Sequence, residues 1–156
     1  MRCVTLMSFM IALSISGAGA ASEPNDPLIG VSAVAVKAWS RSSIPAADLE
    51  SAMRRLLDAH GIALADSSVS EAPVLTFSLS SYEVGPVDLG QPIPWTAELY
   101  LVETATLKRA PVTAEARTWE SGRAISHAPL TQVGQILDRF VEDFSESLTA
   151  ANSGDQ

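Results

Sequence analysis

Two helical stripes and several alternating runs organise the chain. From Ser43 to His60 (SIPAADLESAMRRLLDAH), Leu49, Ala52, Met53, Leu56 and Leu57 recur at i, i+3, i+4, i+7 and i+8, which is one face of a helix. Pro45 suits the first turn, where a missing N–H costs nothing. Asp48 and Glu50 lie early, where the helix dipole favours negative charge. Gly61 supplies a left-handed stop. The stripe from Thr131 to Ala151 is longer, with Val133, Ile136, Leu137, Phe140, Val141, Phe144 and Leu148 on one side. Asp138, Glu142, Asp143 and Glu146 take its outer side.

Val31 to Trp39 (VSAVAVKAW) is too short for a helix and reads as a strand. Val34 and Val36 face one way; Val31, Ala33, Ala35 and Lys37 face the other. Apolar character on both faces predicts an inner strand. Ile62 to Ala65 predicts a short edge strand. Three later runs alternate with period two. In Val74–Val84, Leu75, Phe77 and Leu79 oppose Thr76, Ser78, Ser80 and Tyr82. In Trp95–Val102, Trp95, Ala97, Leu99 and Leu101 oppose Thr96, Glu98, Tyr100 and Val102. In Val112–Trp119, Val112, Ala114 and Ala116 oppose Thr113, Glu115, Arg117 and Trp119. Loops are expected at 66–72, 85–94, 104–110 and 122–129.

The order β-α-β-β-β-α predicts an α+β two-layer sandwich: an antiparallel meander with two helices on one face. The expected core is Val34, Val36, Leu56, Leu75, Phe77, Leu79, Leu99, Leu101, Ile136, Phe140 and Phe144. One domain, residues 29–152, follows a polar lead-in at 21–28 and precedes a tail at 153–156.

The first twenty residues stand apart. Arg2 precedes the mostly apolar run Val4–Ile15, and small residues then end in Ala18-Gly19-Ala20. That order is the signature of a secretory signal peptide, with the cut after Ala20 or Ala21. The apolar part is about 12 residues, short of the roughly 20 a span needs. Cys3, the one cysteine, precedes the apolar run rather than following it, so lipid attachment there is not expected. Removing residues 1–20 leaves 136 residues, net charge −9 and no cysteine, hence no disulfide and no thiolate metal site. An exported, periplasmic location follows, or one beyond the outer membrane, with no transmembrane segment after cleavage.

Charge and motif narrow the chemistry. Ten Lys and Arg against eighteen Asp and Glu give a net −8, a poor footprint for nucleic acid. There is no G-x-S-x-G, Walker A loop, G-x-G-x-x-G or H-E-x-x-H, and no cofactor is implied. His60 reads as a helix C-terminal cap. His127 lies in a predicted loop with no companion ligand nearby. Glu98 and Glu115 fall on neighbouring strands of the predicted polar face. Arg117 is placed to pair with either. Tyr82, Glu98, Tyr100, Glu115, Arg117 and Trp119 are the candidate binding residues. Tyr, Trp and Arg are enriched at hot spots, and Thr, Tyr and Trp are equally favoured in strands by β-propensity alone. Trp95 and Trp39 read as packing residues.

These features together are a leader, the strand Val31–Trp39, a helix ending Ala59-His60-Gly61-Ile62, a meander, Thr118-Trp119 and a last helix with Phe140 and Phe144. They resemble small bacterial envelope proteins of βαβββα type. The architecture is similar to the amino-terminal domain of the Tol-Pal translocation protein and to the lipopolysaccharide-assembly lipoprotein. The resemblance implies an envelope binding or assembly role, with a protein or lipid-related partner. Two other readings stand beside it. One is a small hydrolase using Glu98, Glu115 or His127. The other is a structural protein self-associating through the edge strand at 62–65.

Overall fold

A computed structural model describes residues 27–66, 72–83, 88–106 and 112–153. The predicted signal peptide, most of the lead-in and tail, and parts of the loops expected at 66–72, 85–94 and 104–110 lie outside these residues. The elements are β1 (Ala33–Arg41), α1 (Ala46–Ala59), β2 (Ala63–Leu64), β3 (Val74–Ser81), β4 (Pro92–Thr106), β5 (Thr113–Pro129), a 3-10 turn (Leu130–Gln132) and α2 (Val133–Asn152). One mixed sheet has the order β2-β1-β3-β4-β5. β1 runs parallel to both neighbours, and β3-β4-β5 is the antiparallel meander. Both helices pack on one face, giving the expected α+β sandwich.

The core sits where the helix stripes meet that face. Leu49, Met53 and Leu57 of α1, with Val133, Leu137, Phe140, Val141 and Phe144 of α2, bury against Val34, Val36, Leu75, Phe77, Leu79, Leu99 and Leu101. Phe77 meets Phe140 at 6.5 Å between ring centroids. Leu56 and Ile136, expected in the core, are half-buried at its margin. α1 ends as its sequence predicts. Gly61 at φ 71° lets its own N–H reach Asp58 O and the Ile62 N–H reach Leu57 O, each at 2.9 Å.

Several boundaries differ from expectation. Leu28, in the predicted lead-in, is buried in the core. Asn152 fixes it there, accepting from Gly30 N (2.9 Å) and donating to Leu28 O (3.1 Å). The segment 122–129 is not a loop. β4 starts at Pro92, earlier than the proline-rich run suggests, so Ile93–Glu98 pairs with Arg123–Ala128. β5 is therefore one strand of 17 residues.

That strand changes phase twice. Val102 pairs with Arg117 and Leu101 with Trp119, so Thr118 is an extra residue. Tyr100 pairs with Glu120 and Glu98 with Arg123, which inserts a second near Gly122 at φ 90°. Each bulge reverses the facing of everything beyond it. Trp119 consequently leaves the polar face on which strict alternation put it. It stands opposite core residue Leu101, edge-on to Phe144 at 5.0 Å. The bulge leaves the buried Thr118 Oγ1 without a partner among the described residues.

Two stability changes follow. Phe144→Ala removes the ring under Trp119 and should lower unfolding free energy by about 3–5 kcal/mol in urea titration. Thr118→Val replaces the unpaired hydroxyl by an isosteric methyl and should raise stability by about 1 kcal/mol. A loss there would mean the hydroxyl finds a partner.

Candidate functional site

The second face of the sheet carries no helix among the described residues. Ladder pairs across β1, β3, β4 and β5 arrange its side chains in rows. One row is Lys37–Thr76–Tyr100–Glu120, and the next is Trp39–Ser78–Glu98–Arg123. Arg41–Ser80–Thr96–Ile125 and Ala35–Val74–Val102–Arg117 flank them. Ala35 and Thr76 are buried although they face outward, because they form the floor between larger neighbours.

Glu98 is the centre of this face. Its carboxylate accepts from Arg117 Nη1 at 3.2 Å and from Arg123 Nε at 2.5 Å. The Arg117 guanidinium lies 3.7 Å above the centroid of the Tyr100 ring, a cation–π contact. Glu98 is largely covered, at 19% side-chain exposure, while Arg117 and Arg123 are exposed. Ion pairs of this exposed kind contribute about 0–1 kcal/mol each. The cluster therefore shapes the surface far more than it stabilises the fold.

Two concavities lie on this face. One of about 440 Å³ is lined by Lys37, Trp39, Thr76, Ser78, Tyr100 and Glu115 among others. The other, about 560 Å³, lies towards the C-terminal end of β3, with Arg41, Tyr82, Glu83, Trp95 and Ile125 in its walls. Tyr82 and Ile125 are 74% and 76% exposed. Volumes of this order suit a small ligand or a partner's side chains.

Five of the six predicted site residues thus lie on or beside one face: Tyr82, Glu98, Tyr100, Glu115 and Arg117. Trp119 does not, for the phase reason above. Trp39, expected as packing, is half exposed beside Tyr100. Its parity with Lys37 in β1 is the signal that identifies it. Trp95 is buried as expected, donating its indole N–H to Ala128 O at 3.1 Å.

The residues considered for hydrolysis are not brought together. Glu115 stands opposite Thr104, six residues along β4 from Glu98, so about 20 Å separates the two glutamates. His127 stands opposite Pro94, four residues from Glu98 in the other direction, or about 13 Å. Paired carboxylate chemistry needs about 5–9.5 Å. His60 occupies the C-cap of α1. Among the described residues no group of three His, Cys, Asp or Glu could hold a metal ion, and no helix is long and apolar enough to cross a membrane.

Glu83 ties the segment before α1 to the end of β3. It accepts from Ser43 Oγ, from Ser43 N at 2.8 Å and from Ser81 Oγ at 2.5 Å. The Ser43 hydroxyl first, then the Ser81 hydroxyl, hold its carboxyl below its ordinary value, over a smaller opposing effect of burial.

No family model matches this sequence, and no curated protein matches it. Solved structures with a similar arrangement include a PelC dodecamer from Paraburkholderia phytofirmans, 12% identical, with TM-score 0.40, over 76% of this chain and 86% of that one. A minor lipoprotein from Acinetobacter baumannii is 12% identical, with TM-score 0.31, over 77% of this chain and 94% of its own.

The Glu83 contacts set a pH dependence. A folded-state value below the unfolded one contributes stability that is present above the unfolded value and lost as pH falls through the folded one. Glu83→Gln should flatten the decline in urea midpoint as pH falls through and below the ordinary carboxylate range. An unchanged slope would assign that decline to other carboxylates.

Proposed function

We propose that the protein is an exported, non-catalytic protein of the bacterial envelope that acts in the periplasm by engaging a protein partner through the open sheet face. The observation that carries this reading is the uncovered face itself. Trp39 and Tyr100 flank one concavity, Tyr82 and Ile125 line another, and Glu98 holds two arginines between them. Aromatic and arginine side chains in half-buried positions are the usual anchors of an interface. The leader-like start, Arg2 with Val4–Ile15 and Ala18-Gly19-Ala20, supplies the route to the envelope. The acidic balance and the scattered positions of Glu98, Glu115 and His127 favour binding over nucleic-acid or carboxylate-pair chemistry.

The test is site-directed photo-cross-linking in intact producing cells. A photoreactive residue replaces Trp39 or Glu120 on the open face, or Glu142 on the outside of α2. A discrete product from the open-face positions, absent from position 142 and lost with Tyr100→Ala, is the expected result. Equal products from both faces, or none from the open one, would overturn the reading. Tyr100→Ala should leave thermal unfolding within about 1 kcal/mol of the parent, since the ring lies outside the helix-covered core.

A further inference from the structure

We propose that the partner is a second copy of this chain, whose open face stacks on the same face in a two-fold dimer. This rests on the open face being the binding surface, and it adds the occupant. The face is complementary to itself.

Consider a two-fold axis lying between the stacked sheets and running along the strands, midway between β3 and β4. It places β1 over β5 of the second copy and β3 over its β4. Position along the strands is kept, so each row falls on itself in reverse. In the row Lys37–Thr76–Tyr100–Glu120, Lys37 then meets Glu120 of the second copy, and Tyr100 meets the small Thr76. In the next row, Trp39 meets Arg123 and Ser78 meets Glu98. In the row below, Val74 meets Val102. The same operation sets Ala35 against Arg117 and Arg41 against Ile125. Opposite charges meet in the Lys37 row and a cation meets an aromatic ring in the Trp39 row, at the separation of about 10 Å that stacked sheets keep.

The 440 Å³ concavity spans the middle of this face, with Lys37 and Trp39 of β1, Thr76 and Ser78 of β3, Tyr100 of β4 and Glu115 of β5 in its walls. The same two-fold sets its Lys37 and Trp39 wall over Glu120 and Arg123 of the second copy. Neither Lys37 nor Glu120 uses its side chain in an ion pair or hydrogen bond among the described residues. Both are exposed.

Charge also separates the two faces of the molecule. The outer side of α2 carries Asp138, Glu142, Asp143 and Glu146 against Arg139 alone, so copies repel through it. The open face carries Lys37, Arg41, Arg117 and Arg123 against Glu98, Glu115 and Glu120, and is close to neutral. In a chain of net charge −8, that is the face on which two copies approach without a like-charge penalty.

The experiment is sedimentation equilibrium on the full-length chain, produced with its own leader and purified in the form the cell delivers. The parent, Lys37→Glu, Glu120→Lys and the double exchange are compared at low and high salt. A monomer–dimer equilibrium is expected, with each single reversal raising the dissociation constant about tenfold or more. The double exchange should restore it to within a few-fold, because the charges swap sides together. Both positions are exposed, and thermal unfolding of each variant checks that its fold is kept. A parent that stays monomeric at the highest attainable concentration overturns the dimer. So does a dimer indifferent to both reversals, which would pair through another surface such as β2 or β5. A monomer whose open-face cross-link leads to a different chain overturns self-pairing and leaves the open-face reading intact.

Discussion

Two helices with one apolar stripe each cover one face of one sheet, and almost everything else depends on that match. The stripes meet β1, β3 and β4 through Val34, Phe77, Leu99 and Leu101, and Phe140 and Phe144 seal the contact from α2. Among the described residues no third helix covers the other side. The sheet therefore presents its second face as a surface, and the amino acids there suit a surface that is only partly wet. Hydroxyls line β3, aromatic rings stand on β1 and β4, and charges gather on β4 and β5.

The bulges in β5 reconcile the two faces. An unbroken strand of this length would carry Trp119 and Arg123 on the same face. With one extra residue at Thr118 and another near Gly122, Trp119 turns in to Phe144 and Arg123 turns out to Glu98. The unpaired Thr118 hydroxyl marks where this adjustment is made. Bulges also sharpen local twist, which suits a strand at the edge of the described sheet.

Most of the architecture is legible in the sequence because periodicity reports burial directly. Both helices, β1, β3, the centre of β4, the short edge strand β2 and the shared helical face follow from spacing alone. Local phase and non-local pairing are not legible in the same way. Nothing in Gly122–Pro129 alternates convincingly, and its strand character comes from Pro92–Glu98 lying alongside. Trp119 is misplaced when parity is counted through a bulge that only a partner strand reveals. Trp39 misleads for the opposite reason, since its parity with Lys37 is plain and its size suggests packing. Leu28 looks like lead-in because the partner that fixes it, Asn152, lies at the far end of the chain. Of the surface cluster, the pairing of Arg117 with Glu98 is foreseeable from adjacent alternating strands. The participation of Arg123 is not, since it depends on both bulges.

The Asn152 clasp also bears on the order in which the molecule is made. Synthesis produces the N-terminal turn first and α2 last, and the clasp joins the two. Until α2 emerges, the apolar side of the meander has only α1 to cover it, and Phe77 lacks its Phe140 neighbour. The domain therefore cannot close before α2 is made, because its closing contacts span nearly the whole described length.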